Sequence, residues 1–313
     1  MKPAYLKELQ KQLPLLSFDP AKDRATVDWP LCSDYLEFYN FPKLPNVRHY
    51  LGKFTSLDHE LACHYLIPEN PKGTVCVMHG YFDHFGLYNH LTSHLLKQGY
   101  AVAGFDLPGH GISSGEQVSI QSFHHYMHTF SQFLEHIHGL PAPIHAVGQS
   151  TGGAVLINYL LLRQFLFQPI KLDKVVLLAP LVRPNHWAKV RLAYKLTGKF
   201  RKYIKRKFNP NSSDLDFLRF VKEQDPLQTR KVSVLWVGAM RQWVHDFSIL
   251  PKCKHPLTVV QGDLDETVDW EYNLKVIRRK FPNTKIVMQA GAGHHLVNES
   301  RDLRDEIFAA MGF

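Results

Sequence analysis

The sequence is short of cysteine and lacks any long uninterrupted apolar run. Its four cysteines, which are far apart and show no Cys-x-x-Cys spacing, are Cys32, Cys63, Cys76 and Cys253. This pattern argues against both a zinc site and a disulfide scaffold, and it fits a reducing cytoplasm. The longest apolar stretch, AVLINYLLLRQFLF, is interrupted by Arg163 and Gln164, so we expect no membrane-spanning helix.

The N-terminal stretch, MKPAYLKELQKQLPLLSFDP, also lacks the apolar core of a secretory signal peptide, so we expect none. No repeat or low-complexity tract is visible, and 45% of the 313 residues are hydrophobic against 21% charged. This composition predicts one large globular domain, or a domain that carries an insertion. Prolines limit the helices of residues 1–45, which we interpret as an N-terminal extension.

The net charge of +9 comes from one segment. Residues 189–207, KVRLAYKLTGKFRKYIKRK, contain nine Lys or Arg and no acid, and the rest of the chain is balanced. An apolar stripe at helical spacing runs through the segment, with Gly198 as a point where a helix can break; it consists of Leu192, Leu196, Phe200 and Tyr203. Two interpretations stay open. The segment is either a surface for anionic lipid headgroups, at the inner membrane surface, or a solvated face whose stripe packs on the core.

Short apolar segments alternate with helical ones after residue 45. The strand pair RHYLGKFTSLD and ELACHYLIP is followed by GTVCVMHG, YAVAGFDLPG, IHAVG, KVVLLAP, PLTVVQG and TKIVMQAG, with helices over 87–98, 120–138 and 268–280, after Ser150 and at the C-terminus. This pattern predicts an α/β fold with a mostly parallel sheet flanked by helices. The alternation stops over 183–250, which look helical. We expect a lid there, inserted after the sixth main strand into a core of residues 46–182 and 251–313.

Gly148-Gln149-Ser150-Thr151-Gly152 stands where a predicted strand becomes a helix. A sharp strand-to-helix turn exposes the middle hydroxyl, and the residues two positions away on either side must be small for the chain to turn so tightly. The helix N-terminus adds free N–H groups that can stabilise an oxyanion. The pattern therefore indicates a nucleophilic serine, with a plain glycine-rich turn as the alternative.

A serine nucleophile needs a base and a carboxylate. After the strand LTVVQG comes the stretch DLDETV, with Asp263 and Asp265, and after KIVMQ comes AGAGHH, with His294 and His295. Both stretches follow predicted parallel strands, so they are expected at the same sheet edge as Ser150.

The strand GTVCVM ends at His79-Gly80, and the N–H of Tyr81 is placed to form an oxyanion hole together with that of Thr151. We interpret His79 as a residue that holds this loop.

The motifs HGYFDH, GFDLPGHGISSG, GQSTGG, QGDLDETV and GAGHHLVNE together resemble the α/β-hydrolase superfamily. They are most similar to its lysophospholipase and monoacylglycerol lipase branch, whose common domain is also named for serine aminopeptidases. The resemblance covers about residues 48–310. It implies the catalytic residues Ser150, Asp265 and His294, with Asp263 and His295 as competitors.

The resemblance further implies an acyl-enzyme on Ser150 and the hydrolysis of carboxylic esters, in the manner of a lysophospholipase or monoacylglycerol lipase. The family's Asp-x-x-Gly-x-Gly loop matches Asp106, Gly109 and Gly111, to which we assign a structural role. Bulky Tyr81 and Phe82 follow Gly80 where other family members carry more glycines, which favours a narrow acyl site. Aromatic and aliphatic side chains of the lid are expected to line an acyl channel: Trp187, Leu192, Phe200, Trp236 and Trp243.

Two other functions stay open at this stage: a serine aminopeptidase for small peptides, and a hydrolase fold that only binds. We expect no cofactor. The histidine pairs spaced four residues apart, His90/His94 and His124/His128, have no acidic or cysteine partner in a recognised pattern, so we expect no metal. No nucleic-acid-binding motif accompanies the basic segment, so we expect no nucleic-acid partner.

Overall fold

A mostly parallel sheet of eight strands organises the fold, which is seen here in a computed structural model that describes residues 1–198 and 200–313. Of the predicted basic segment, Lys199 therefore lies outside the described residues. The strands are β1 (Val47–Ser56), β2 (His59–Pro68), β3 (Thr74–Met78), β4 (Ala101–Phe105), β5 (Ile144–Gln149), β6 (Val175–Leu178), β7 (Tyr203–Lys205), β8 (Lys231–Ser233), β9 (Leu257–Gly262) and β10 (Thr284–Gln289). The α-helices are α1 (Pro3–Gln12), α2 (Ser33–Phe38), α3 (Asn89–Lys97), α4 (Phe123–His136), α5 (Thr151–Leu162), α6 (Trp187–Thr197), α7 (Leu215–Arg219), α8 (Val234–Ile249), α9 (Trp270–Lys280) and α10 (Arg301–Met311).

The strand order of the large sheet is β1-β2-β4-β3-β5-β6-β9-β10. Strand β2 is antiparallel to both of its neighbours, and the other pairings are parallel. Strands β3, β4, β5 and β6 are buried at every position, which explains why their sequences lack polar alternation. The predicted α/β fold is confirmed.

Apolar layers cover both faces of the sheet. On one face, Phe133 of α4, Leu156 of α5 and Ile277 of α9 belong to one buried cluster. On the other face, Leu91 of α3 and Ile307 of α10 belong to a second cluster. Because crossover helices protect both faces, the edge formed by the carboxyl ends of the strands stays available for a site.

The N-terminal residues pack on the core. Leu9 of α1 and Tyr35 of α2 are fully buried in the second cluster. The hydroxyl of Tyr39 donates a 2.7 Å hydrogen bond to Asp225, which lies between β6 and β9 in sequence. The predicted division into extension, core and lid stays a prediction, and these contacts link all three segments.

The insertion between β6 and β9 is only partly helical, so the prediction of a helical segment was wrong in part. It contains α6, α7 and α8, but β7 and β8 also pair as a small antiparallel sheet. The basic helix ends at Thr197, and the chain returns as a strand at Tyr203. Strands of three residues are too short to show a period in the sequence.

Three of the four side chains in the apolar stripe of the basic segment do not pack on the core, whereas Tyr203 is half-buried. Leu192, Leu196 and Phe200 are 59%, 65% and 86% exposed. Within the described part of the chain, no helix combines the length and the apolarity needed to cross a membrane.

Candidate active site

Ser150 occupies a strained turn between β5 and α5. Its backbone has φ 52° and ψ −111°, a left-handed conformation that is unfavourable for a residue with a side chain. Gly148 and Gly152 make the turn possible, because a Cβ on Gly152 would lie 2.2 Å from the carbonyl oxygen of Met78. A Cβ on Gly148 would lie 2.6 Å from the backbone of Gly152. The turn is therefore packed too closely for any larger residue at these two positions.

The structure brings Ser150, His294 and Asp265 into one hydrogen-bonded chain. The Nε2 atom of His294 lies 2.9 Å from the Oγ of Ser150, and its Nδ1 atom lies 2.7 Å from Oδ2 of Asp265. All three side chains are buried. This is the geometry in which an imidazole can take a proton from a serine hydroxyl while a carboxylate fixes its tautomer.

Asp265 is held by four donors. Its Oδ1 accepts from the backbone N–H groups of Thr267 and Val268, at 2.8 and 3.1 Å, and its Oδ2 accepts from Gln261 and His294. Burial alone would raise the pKa of Asp265, but His294 and these donors lower it, so the carboxylate stays ionised. Burial likewise lowers the pKa of His294, yet the charge and hydrogen bond of Asp265 raise it above its ordinary value.

The two competing residues lie elsewhere in the same loops. Asp263 accepts a 2.7 Å hydrogen bond from the N–H of Gly291 and is exposed. His295 points its Nε2 atom to Oδ1 of Asp83, at 3.1 Å. The hydrogen-bonded chain to Ser150 therefore contains Asp265 and His294.

The predicted oxyanion-hole residues line the same cavity as Ser150. Tyr81 lies in the loop after β3. Thr151 is the first residue of α5, so its backbone N–H has no acceptor within the helix. The ring of Tyr81 stacks on Trp236 at 3.8 Å between centroids, and its hydroxyl donates to the carbonyl of Val118 at 2.8 Å. These contacts fix the loop that carries the first of the two N–H groups.

His79 and Asp106 connect the neighbouring loops. The Nδ1 atom of His79 is 2.8 Å from the carbonyl oxygen of Gly80, and its Nε2 accepts from the N–H of Leu107. Burial lowers the pKa of His79 to about 3, so the imidazole is neutral. Asp106 accepts from the N–H groups of Phe85 and Ile112. Both side chains form hydrogen bonds with the backbone of the loops, which fits the structural role assigned to them.

A second buried aspartate–histidine pair, which the sequence patterns missed, lies beside the first. Asp83 joins His295 to the oxyanion loop, because its Oδ2 accepts from the N–H of Gly80 at 3.2 Å and from the hydroxyl of Tyr88 at 2.9 Å. Burial raises the pKa of Asp83, but His295 outweighs it and holds the pKa well below the usual range. The one sequence signal for this pair was the HGYFDH motif, which contains Asp83.

The insertion also contacts the histidine loop. The carbonyl of Asn211 accepts from the N–H groups of both His294 and His295, at 2.9 and 2.8 Å. On the strand side, Gln149 donates to the carbonyl of His294 at 2.7 Å. The backbone of His294 is thus fixed from two directions.

A cavity of about 760 Å³ opens above Ser150. That volume is in the upper range for ligand sites, and the Tyr81 ring lies flat against Trp236 in the cavity wall. The narrow acyl site stays a prediction. Of the five side chains predicted to line a channel, Trp236 alone is among its wall residues. Leu192 and Phe200 are exposed, Trp187 is half-buried away from the cavity wall, and Trp243 packs inside the core. Val190, Tyr194 and Met240 line the cavity instead.

The family model described as "Serine aminopeptidase, S33" matches residues 69–301. The chain belongs to this family.

Two sequence relatives span most of the serine aminopeptidase S33 domain. The chain is 27% identical over 261 residues to the monoglyceride lipase homolog of Monkeypox virus, which covers 80% of this chain and 93% of the relative. It is 27% identical over 265 residues to the monoglyceride lipase of Homo sapiens, at 79% and 84% coverage.

Solved structures show the same fold. A soluble variant of the Saccharomyces cerevisiae monoglyceride lipase, in complex with a substrate analog, has a TM-score of 0.71 at 18% identity and covers 83% of this chain and 92% of its own. The Paleococcus ferrophilus monoacylglycerol lipase has a TM-score of 0.67 at 22% identity, with 81% and 99% coverage. Together with the family match and the two sequence relatives, this makes the chain an ester-hydrolysing α/β-hydrolase of the monoacylglycerol lipase-like branch.

The glycine turn yields a stability prediction. In G152A the new methyl group collides with the carbonyl of Met78, so we expect the free energy of unfolding to fall by about 1–3 kcal/mol, measured by urea denaturation. G139A is the matched control, because a Cβ on Gly139 meets nothing within 4 Å, and its effect should stay within about 0.5 kcal/mol. Equal stability of the two variants would contradict the close packing of the turn.

Proposed function

We propose that this protein is a serine hydrolase that cleaves lipid carboxylic esters, of the monoacylglycerol or lysophospholipid type, through an acyl-enzyme on Ser150. The observation that carries the proposal is the buried hydrogen-bonded chain from Ser150 through His294 to Asp265, open on a large cavity. The names of the monoglyceride lipase relatives support the substrate class.

In the proposed reaction Ser150 attacks the ester carbonyl while His294 takes the hydroxyl proton. The N–H groups of Tyr81 and Thr151 stabilise the oxyanion of the tetrahedral intermediate. The ester C–O bond then breaks, and His294 returns the proton to the leaving alcohol. Water repeats the sequence on the acyl-enzyme, which releases the fatty acid and restores Ser150.

An aminopeptidase activity is the second candidate, because the family is named for one. A free amino group needs an unpaired carboxylate near the serine. Asp83 lines the cavity, but it is already paired with His295. The other acidic side chains of the described wall, Glu223 and Glu266, are exposed to solvent and are outnumbered by Arg206, Lys207, Arg219 and Lys222. The described part of the cavity favours the ester.

Replacement of Ser150 tests the acyl-enzyme. S150A should lose labelling by a fluorophosphonate probe and lose about 10,000-fold or more in kcat, while S248A, which removes an exposed hydroxyl, keeps both. The substrates are p-nitrophenyl esters, lysophosphatidylcholine, monoacylglycerol and aminoacyl-naphthylamides. Turnover of the amides alone would overturn the lipid proposal, and folded wild-type protein that does not react with the probe would overturn the serine mechanism.

The raised pKa of His294 predicts the pH profile. Burial lowers this pKa, but Asp265 raises it more, and His294 must be neutral to accept the proton. We therefore expect kcat/KM to fall as the pH drops through the raised pKa.

D265N should lower kcat by about 10,000-fold and move the acid limb to lower pH, because the charge that raises the pKa is gone. D263N, in the same loop, should leave the limb in place. An unmoved acid limb in D265N would contradict the role given to Asp265.

We also propose a cytoplasmic protein whose insertion acts as a lid and docks on anionic membrane surfaces. All four cysteines are unpaired, as expected in a reducing compartment. Leu192, Leu196 and Phe200 are exposed next to the exposed cations Lys189, Arg191 and Lys195. Exposed apolar and basic side chains on one surface are typical of interfacial helices.

Vesicle pelleting tests this docking. The variant L192S/L196S/F200S should bind vesicles of phosphatidylglycerol and phosphatidylcholine about tenfold more weakly or worse, since each buried CH₂ contributes about 0.8 kcal/mol. The control is F165S/F167S, which removes two exposed rings just after α5, at the end of the helix remote from Ser150. Equal binding by both variants would contradict the docking surface.

A further inference from the structure

Arg206 is a clamped side chain in the wall of the cavity above Ser150. Its guanidinium lies 3.9 Å from the ring centroid of Phe82 and 4.2 Å from that of Phe208. Its Nη1 donates to Oε1 of Gln228 at 2.7 Å and to the carbonyl of Thr229 at 3.2 Å. Two ring faces and two hydrogen bonds hold the guanidinium in place.

The clamp is tied to the catalytic loop. Gln228 donates its amide to the carbonyl of Phe82 at 2.9 Å and to Asp225 at 3.1 Å. Phe82 follows Tyr81 directly, so Arg206 sits one residue from an N–H of the proposed oxyanion hole. An anion bound by Arg206 would lie in the same cavity as the ester carbonyl.

Among the residues that the structure describes, Arg206 has no counter-ion. Burial lowers its pKa to about 10, so the side chain is still charged at neutral pH. Among the described residues no carboxylate lies within 4 Å, and Nε and Nη2 have no hydrogen-bond acceptor. Asp83 and Asp225 act on it at longer range, but each is already paired with a histidine. A half-buried cation that has hydrogen bonds but no counter-ion is costly, and a free pair of donors on such a cation points to an anion site.

The surroundings add positive charge. Lys207 and Lys222 line the same cavity, as does Arg219, which is paired with Asp216. The acidic side chains of the described wall are Asp83, which is paired with His295, and the exposed Glu223 and Glu266. Arginine binds phosphate and carboxylate through two parallel hydrogen bonds, which its Nε and Nη2 can supply.

We propose that the cavity takes a lipid ester that carries a phosphate or carboxylate anion, that Arg206 binds this anion, and that the enzyme thereby prefers it to a neutral monoacylglycerol. The inference rests on the proposed ester hydrolysis and specifies its substrate. The anion lies either on the leaving alcohol, as in a lysophosphatidic acid, or at the far end of the acyl chain, as in the glyceryl ester of a dicarboxylic acid.

The test compares three octanoyl-length esters: the monoacylglycerol, the acylglycerophosphate, and the glyceryl monoester of the matching dicarboxylic acid. Chains this short keep the substrates out of membranes. Wild-type protein should show a higher kcat/KM for one of the two anionic esters than for the neutral one, and that ester identifies where the anion sits. R206Q should lower this preference about tenfold or more.

R230Q is the matched control, because Arg230 is exposed, lies 5.7 Å from the centroid of the same Phe208 ring and is absent from the cavity wall. It removes the same charge, and the preference should change by less than about twofold. R206K keeps the charge without the planar guanidinium, so its preference for the anionic ester should lie between that of wild type and that of R206Q. A preference that R206Q leaves unchanged, or equal kcat/KM for neutral and anionic esters, overturns the inference without affecting the proposed esterase activity.

A binding measurement separates the two proposals. By calorimetry, S150A should bind octyl phosphate or octanoate at least about tenfold more tightly than octanol, and S150A/R206Q should lose this difference. Equal binding of the three amphiphiles by S150A overturns the anion site even if esters are hydrolysed. Anion binding that depends on Arg206, without any ester hydrolysis, keeps the site and overturns the esterase.

Discussion

The left-handed backbone of Ser150 is the constraint on which the rest of the site depends. A strand that is buried at every position ends against a helix whose second residue touches the neighbouring strand β3. The turn has no room to relax, because the carbonyl of Met78 occupies the space that a side chain on Gly152 would need. Strain at Ser150 is therefore maintained by the packing of the sheet, at a cost of about 1–3 kcal/mol for such a residue.

Buried charge then aligns the loops around this turn. Three aspartate–histidine pairs lie at the carboxyl edge of the sheet: Asp265–His294, Asp83–His295 and Asp225–His84. An isolated carboxylate is very unfavourable in such an environment, whereas a paired and hydrogen-bonded one is tolerated. Each pair joins segments that are distant in sequence. Separating the loops would leave a buried aspartate charge unpaired. The desolvation penalty of these aspartates therefore keeps the loops in contact.

Much of the fold and the hydrogen-bonded chain could be predicted from sequence, since both depend on local patterns. Strands buried on both faces show as short apolar runs, and the glycines around Ser150 follow from its turn. The pairing of Asp83 with His295 could not be predicted, because the two residues are 212 positions apart and nothing local marks them as partners. The same holds for β7 and β8, whose three-residue strands carry no period. Trp243 was misassigned because an aromatic residue in a lid has the same sequence appearance whether it faces a cavity or the core.

The cationic side chains of the insertion are of two kinds, exposed and half-buried. Lys189, Arg191 and Lys195 are exposed. The attraction between such charges in water is weak, and at physiological ionic strength it is screened within about 8–10 Å. Such charges can concentrate the protein near an anionic surface, but they distinguish poorly between ligands. Arg206 is clamped between two rings, where the effective dielectric constant is lower and one charge interaction is worth several times more. One partly desolvated cation can therefore discriminate between substrates where many exposed ones cannot, and its position next to Phe82 places it beside the proposed oxyanion hole.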